Sequence, residues 1–223
     1  MILQYPLIAF GFPLADGALL NADRMLGFDF AAFVAPFKDA RLWEIVSFGY
    51  YSMTWQAPLV LIVMCAANYI DRAWHLVTAA MIGLCISAIG LMLFPADGSF
   101  VLCGVRPEGL PIVGRACDYS ALIRGFHAGE LTVIDRSMQL GMISMPSFHT
   151  TAAILFVWGL WPIRLLRAPS ILLNALMIIG TIVIGSHYLV DTLAGAANAA
   201  ASILAANKLA PRNGESWCDP LQA

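Results

Sequence analysis

Residues 168–207 read APSILLNALMIIGTIVIGSHYLVDTLAGAANAAASILAAN, and Asp191 is their one formally charged side chain. As a single helix, most of this stretch would be roughly 55 Å long at 1.5 Å per residue, whereas about 20 apolar residues cross a bilayer core. It therefore predicts a hairpin of two membrane-spanning helices. We expect the break at residues 185–186, where glycine tolerates a turn and serine can cap the next helix, so that His187 opens the last helix.

The rest of the chain is also apolar. Of its 223 residues, 60% are hydrophobic and 12% are charged, whereas soluble domains carry about twice that charge. Residues 45–70 and 73–96 are uncharged enough to span a membrane, residues 150–163 form a shorter apolar run, and residues 1–14 suggest a truncated sixth span. We predict an all-α, polytopic membrane bundle of five to six transmembrane helices.

Three regions are predicted. Residues 1–41 form an apolar segment and a helix lying in the membrane interface, because residues 16–40 mix charges with aromatic side chains. Residues 42–207 form the transmembrane catalytic domain, and residues 208–223 form a C-terminal tail. Within the domain, residues 95–145 are long and rich in glycine, and we interpret them as an extracytoplasmic cap loop over the substrate side.

Charge distribution gives an orientation and excludes one partner. The short connections at residues 71–72 and 164–167 and the tail make one face basic, which predicts that this face is cytoplasmic and the 185–186 turn extracytoplasmic. The net charge is −2, and basic side chains do not gather with aromatics into a stripe. We therefore expect no nucleic-acid partner. The oligomeric state is left open.

Two cysteines fall in the cap loop. Cys103 and Cys117 could pair in an oxidising compartment and staple the loop, or they could be two unrelated thiols. No cysteine pair has the close spacing of zinc ligands, so we predict neither a metal site nor a cofactor.

The first chemical motif is MPSFHTT at residues 145–151. Pro146 prevents the helix from extending backwards, and Ser147 is a natural N-cap. The free N–H groups of the first turn, with the positive end of the helix dipole, can bind a phosphate. His149 lies in that turn, where an imidazole can give a proton to a departing oxygen.

The second motif is GSHYLVD at residues 185–191. His187 and Asp191 are four residues apart, so the carboxylate can accept from one ring nitrogen, fix the tautomer and leave the other nitrogen as a nucleophile. The predicted topology brings His187 and His149 to the same membrane face. Two other interpretations stay open: a polar pair that ties helices together in a scaffold, or a proton relay in a small transporter.

The remaining histidines and three aromatic residues are predicted to have structural roles. His75 is predicted to be interfacial and His127 a surface histidine. Tyr50, Tyr51 and Trp55 are interpreted as packing residues.

PSFH at residues 146–149 together with HYLVDTLAG at residues 187–195 resembles the type 2 phosphatidic acid phosphatase superfamily. The nearest branch contains the inositol phosphorylceramide synthases, and ADRMLGFDF at residues 22–30 is similar to bacterial members of that branch. The resemblance covers most of the chain.

The resemblance implies a six-helix membrane domain that works without a metal. It implies that His187 attacks phosphorus to form a phosphohistidine while His149 protonates the leaving alcohol. Asp191 would orient the nucleophile, and Ser147 would contact the phosphate.

Two departures from the superfamily pattern concern the phosphate charge. Ser99 stands where the lysine of a Lys-x6-Arg-Pro motif would precede Arg106-Pro107, and Thr181 stands where a phosphate-binding arginine is common. A phosphoryl transition state normally needs a cation. Arg124 and Arg136 are our candidates because they lie closest in sequence to the first motif, the alternative for each being interfacial anchoring.

We therefore expect an integral membrane lipid phosphatase or phosphotransferase with a phospholipid or lipid phosphate as substrate. Its active site would lie on the periplasmic side of a bacterial inner membrane. The alternatives are an inositol-phosphate or other head-group transferase and, in another class, a small proton-coupled transporter or membrane scaffold.

Overall fold

The computed structural model describes residues 7–8, 12–102, 113–131 and 145–209, and within them it contains helices and no strand. The predicted all-α class is thus confirmed for this part of the chain. The helices are α1 (Asp16–Met25), α2 (Phe30–Val34), a 3-10 turn (Ala35–Lys38), α3 (Ala40–Tyr51), α4 (Met53–Ala66), α5 (Ile70–Leu93), α6 (Ser99–Leu102), α7 (Val113–His127), α8 (Phe148–Leu160), α9 (Arg164–Val183) and α10 (Leu189–Leu209).

Three of these helices, α5, α9 and α10, are long and apolar enough to cross a membrane. Helices α4 and α8 are apolar but shorter, with 14 and 13 residues. The chain therefore has the helices of an integral membrane protein. The apolar run at residues 45–70 is not one helix, because α3 ends at Tyr51 and α4 begins at Met53.

The predicted break between the last two helices is confirmed. Helix α9 ends at Val183 and α10 begins at Leu189, and between them Ser186 adopts a positive φ of 56°. His187 therefore lies in the turn before α10 and does not open the helix. The expectation that Ser186 caps α10 is wrong, because its hydroxyl accepts a hydrogen bond from the N–H of Phe100 at 3.1 Å.

Helix α8 is surrounded by α4, α5, α9 and α10, and α9 also packs against α3. The apolar core between them includes Met64, Leu76, Leu155, Phe156 and Met177. Helices that lack a hydrophobic driving force in lipid associate through close packing and interhelical hydrogen bonds.

A buried polar contact ties the centre of the bundle together. The side-chain amide of Asn198 on α10 lies 3.0 Å from the carbonyl of Gly83 and 3.3 Å from the hydroxyl of Ser87, both on α5. It also lies 3.2 Å from the hydroxyl of Thr151 on α8. Asn198 therefore links three helices.

One end of the bundle carries the basic connections. Arg72, at the start of α5, donates hydrogen bonds to the carbonyls of Trp158 and Gly159 at 2.5 and 3.2 Å, near the end of α8. Its guanidinium lies 4.5 Å from the centre of the Trp158 ring. Since α9 begins at Arg164, both predicted basic connections lie at this end. The start of α8 and the turn before α10 lie at the other.

Candidate active site

Ser147 begins α8, as the sequence predicted. Its backbone is extended, and its hydroxyl accepts from the N–H of Thr150 at 3.5 Å, which makes it the N-cap. The side chain is fully buried. His149 follows in the first turn of the helix and is partly buried.

The second motif forms the predicted histidine–carboxylate pair. Nδ1 of His187 lies 3.3 Å from Oδ2 of Asp191, and the same oxygen accepts from the N–H of Tyr188 at 3.1 Å. Both members of the pair are buried, with exposures of 5% for His187 and 0% for Asp191. Because Nδ1 faces the carboxylate, Nε2 is the ring nitrogen available for chemistry.

The two motifs are in direct contact. The N–H of Ser147 donates to the backbone carbonyl of Asp191 at 3.0 Å. One turn further along α10, the backbone of Gly195 comes so near α8 that a Cβ there would lie 2.5 Å from the carbonyl oxygen of Ser147. The start of α8 and the first turn of α10 therefore form one unit.

Tyr50, on α3, lies near both motifs. Its ring is stacked on that of His149, with centroids 4.5 Å apart and planes 10° from parallel. A Cβ on Gly185 would lie 3.2 Å from Tyr50 Cε2 and 3.2 Å from His187 Cδ2, so both side chains border Gly185. From the sequence alone, Tyr50 was predicted to be a packing residue.

Helix α1 supplies two buried carboxylates behind the second motif. Asp23 accepts from the N–H groups of Leu189 and Val190 at 2.9 and 2.8 Å. Asp16 accepts from the hydroxyl of Tyr188 at 2.9 Å. From the sequence this helix was predicted to lie at the membrane surface, and neither acid was predicted to be a site residue. Their seven-residue spacing, which puts both on one helix face, was the available signal.

Burial changes the pKa of two carboxyl groups, Asp23 and Asp97, at the end of the bundle that carries the two motifs. It raises the pKa of Asp23, an effect partly offset by the N–H groups of Val190 and Leu189. Burial also raises the pKa of Asp97, and the hydrogen bond and charge of Arg124 act in the opposite direction.

The structure places Arg124 in an ion pair. Its Nε and Nη2 atoms lie 2.7 and 2.6 Å from Oδ2 of Asp97, and the side chain is 59% exposed. Arg136 and Cys103 lie outside the described residues, as does the side chain of Cys117. The predicted disulfide and the role of Arg136 therefore stay predictions.

The other two histidines have backbone partners away from this pair. Nδ1 of His75 lies 2.7 Å from the carbonyl of Asp71 at the basic end, and Nε2 of His127 lies 2.7 Å from the carbonyl of Phe12. Among the residues that the structure describes, no three or more His, Cys, Asp or Glu side chains form a group that could hold a metal.

A buried histidine backed by a carboxylate, with a second histidine at a nearby helix start, defines a histidine-based site at one end of an apolar helical bundle. The family model of the PAP2 superfamily matches residues 17–205, and the chain belongs to this superfamily. The match begins in α1 and ends in α10, so it includes both motifs, Tyr50 and Asp23, and it begins one residue after Asp16. No curated protein and no solved structure was found to match the chain. Superfamily membership indicates a phosphatase or phosphotransferase of phosphoesters that associates with membranes.

Proposed function

We propose that this protein is an integral membrane lipid phosphatase or phosphotransferase that works through a phosphohistidine on His187. The observation that carries the proposal is the contact between Nδ1 of His187 and Oδ2 of Asp191. His149 lies in the first turn of α8, the start of which is hydrogen-bonded to Asp191 through Ser147. A carboxylate that accepts from Nδ1–H fixes the tautomer in which Nε2 carries the lone pair.

The reaction then has two steps. In the first, Nε2 of His187 forms a bond to phosphorus as the bond from phosphorus to the leaving oxygen breaks, and His149 donates a proton to that oxygen. In the second, His149 takes a proton from water, the new oxygen bonds to phosphorus and the bond to Nε2 breaks. Phosphate is released and both histidines return to their starting states. In a phosphotransferase, a second alcohol takes the place of water.

The phosphate would lie at the start of α8. Ser147 and the first-turn N–H groups offer donors there, and the helix dipole favours an anion. We propose Arg124 and Arg136 as the cations that balance the transition-state charge. In the structure Arg124 is paired with Asp97 through Nε and Nη2.

The bundle supports a lipid substrate and a location for the site. We infer five crossings, formed by α3 with α4 and by α5, α8, α9 and α10, with the histidines at the end opposite the basic connections. By the positive-inside tendency that end faces the periplasm of a bacterial inner membrane. A lipid phosphate or phospholipid in the outer leaflet would present its phosphate at this depth.

One residue favours the head-group transferases as a second candidate. Thr181, which stands where many superfamily members have an arginine, is fully buried, and its hydroxyl donates to the carbonyl of Met177 at 2.9 Å. The lack of arginine at this position is shared with the inositolphosphotransferase branch that the sequence resembles. The acceptor alcohol would then be inositol or another head group.

Purified protein in lipid vesicles tests the proposal. Phosphatidic acid, a lipid pyrophosphate and phosphatidylinositol are supplied separately in the presence of a chelator, and released phosphate and new phospholipids are measured. We expect turnover of at least one substrate, its loss in His187→Ala, and its retention in the control His75→Ala at the basic end. Full activity of His187→Ala, or no turnover of any substrate by the wild type, would contradict the proposal.

A further inference from the structure

The start of α10 is capped by another helix. The first N–H groups of a helix have no partner within it and are usually satisfied by the side chain just before it. Here the two carboxylate oxygens of Asp23, on α1, accept from the N–H groups of Leu189 and Val190 at 2.9 and 2.8 Å. Asp23 is only 2% exposed. A buried, two-oxygen contact of this kind fixes both the position and the direction of the helix end.

The same helix end carries the nucleophile pair. Asp191 follows Val190 directly, and its Oδ2 faces Nδ1 of His187. A shift of the first turn of α10 would move this oxygen relative to the imidazole. Asp23 therefore binds the backbone of the residue next to Asp191, and Asp191 sets the tautomer of His187.

A second contact from α1 strengthens this arrangement. Asp16 lies seven residues before Asp23 and accepts from the hydroxyl of Tyr188 at 2.9 Å. It also accepts from the N–H groups of Asp97 and Gly98, both at 2.9 Å. Helix α1 thus holds the turn before α10 at two points, on a side where Asp16 and Asp23 are both buried.

We propose that Asp23 is a positioning residue for the nucleophile, an inference that rests on the proposed function. It acts through the first turn of α10 on Asp191, and through Asp191 on His187. Because its carboxylate occupies the N-terminus of α10, that helix end is closed to a phosphate, which leaves the start of α8 for the anion.

The test compares Asp23→Asn with Asp29→Asn. Asparagine keeps the size of the side chain but has one acceptor oxygen in place of two. Asp29 is a matched control because it caps the short helix α2, accepting from the N–H of Ala32 at 3.1 Å. The purified variants are assayed in vesicles with the phosphatidic acid, lipid pyrophosphate or phosphatidylinositol that the wild type turns over, and their thermal midpoints are measured.

We expect kcat of Asp23→Asn to fall by about tenfold to a hundredfold, since a displacement of about 1 Å in a catalytic group can cost that much, with KM unchanged within about twofold. Asp29→Asn should match the wild type in kcat. A wild-type kcat for Asp23→Asn, or a loss that appears in KM, overturns the inference and leaves the proposed function standing.

Asp23→Glu keeps the comparison decisive if Asp23→Asn does not fold. The longer side chain displaces the carboxylate but keeps both oxygens, so we expect a folded protein with a lower kcat and an unchanged KM. An unchanged kcat in that variant counts against the inference. Absence of any activity in the wild type contradicts the proposed function itself.

Discussion

The ring of Tyr50 lies flat on the imidazole of His149, and it also borders Gly185, two residues before His187. A stacked aromatic pair contributes about 0.5–1.5 kcal/mol beyond its buried area. This contact restricts the plane of the His149 ring and therefore the direction in which its nitrogen can deliver a proton. Tyr50 is thus expected to matter for the proposed acid step.

Replacing Tyr50 tests this expectation. We expect Tyr50→Leu to lower kcat/KM for phosphate release by about tenfold, which corresponds to the upper end of the stacking energy. Tyr50→Phe, which keeps the ring, should stay closer to the wild type. Tyr69→Leu is the control, because Tyr69 is 39% exposed and directly precedes α5 at the opposite end. Equal kcat/KM values for Tyr50→Leu and Tyr69→Leu would show that the stacking is irrelevant to turnover.

Part of the site could be predicted from the spacing of residues in the sequence. The i, i+4 relation brought His187 and Asp191 together, and the proline–serine start identified the cap of the helix that carries His149. Spacing places Asp16 and Asp23 on one face of α1, but it does not identify the partners of Asp23 or of Tyr50, since those contacts depend on how α1 and α3 are rotated against distant helices. Local sequence does not encode that rotation.

At the scale of helices, the close approach of α8 and α10 depends on Gly195. A Cβ at this position would lie 2.5 Å from the carbonyl oxygen of Ser147 and 2.9 Å from Cβ of Thr150. Distances this short require the two helices to separate. Because the hydrogen bond from Ser147 to Asp191 lies at the same contact, separation would also disturb the site.

Gly195→Ala is therefore expected to destabilise the protein by about 1–3 kcal/mol, the usual cost of overpacking, and to lower activity as well. The control is Gly17→Ala on α1, where a Cβ would meet nothing within 4 Å. Alanine there should be neutral or stabilising by up to about 1 kcal/mol, because it favours the helix. Thermal unfolding in detergent measures both. The packing argument fails if the two variants unfold at the same temperature.

The helices themselves were predictable to different degrees. The glycine–serine break before α10 was visible because residues 168–207 are too long for one crossing. The break between α3 and α4 was not foreseen, since residues 45–70 carry no charged side chain and were interpreted as one span. In the structure the hydroxyl of Ser52 donates to the carbonyl of Gly49 at 2.5 Å, a local contact that hydropathy does not reveal.

At the scale of the whole molecule, one chain of contacts connects four separate segments around the active end. Arg124 on α7 pairs with Asp97, whose N–H donates to Asp16 on α1, and Asp16 accepts from Tyr188 beside the nucleophile. These contacts join parts of the chain that are far apart in sequence. Sequence analysis proposed Arg124 for its nearness to the first motif and did not foresee Asp97 as its partner.

The ion pair between Arg124 and Asp97 predicts that the thermal stability of the protein depends on pH. Burial raises the folded-state pKa of Asp97 above 3.8, so its ionised form costs stability as the pH rises from about 4 through the folded pKa. Arg124 opposes that shift, and its removal raises this pKa further. Arg124→Gln should therefore lower the thermal midpoint more at about pH 7 than at about pH 4, by a small amount because Arg124 is 59% exposed.

Arg41→Gln is the control for this comparison, since Arg41 is exposed on α3. Its effect on the thermal midpoint should be the same at both pH values. A loss for Arg124→Gln that does not depend on pH would mean that the charge of Asp97 is balanced by other groups.

The central claim is a covalent intermediate on His187, and trapping it is the most direct measurement. The protein is mixed with phosphatidic acid carrying a radioactive phosphorus, quenched in alkali within milliseconds, digested and analysed by mass spectrometry. We predict a label that is stable in alkali, is lost in acid as phosphohistidine is, and maps to His187. A label on another residue, or continued phosphate release with no labelled protein at any time, would contradict the account.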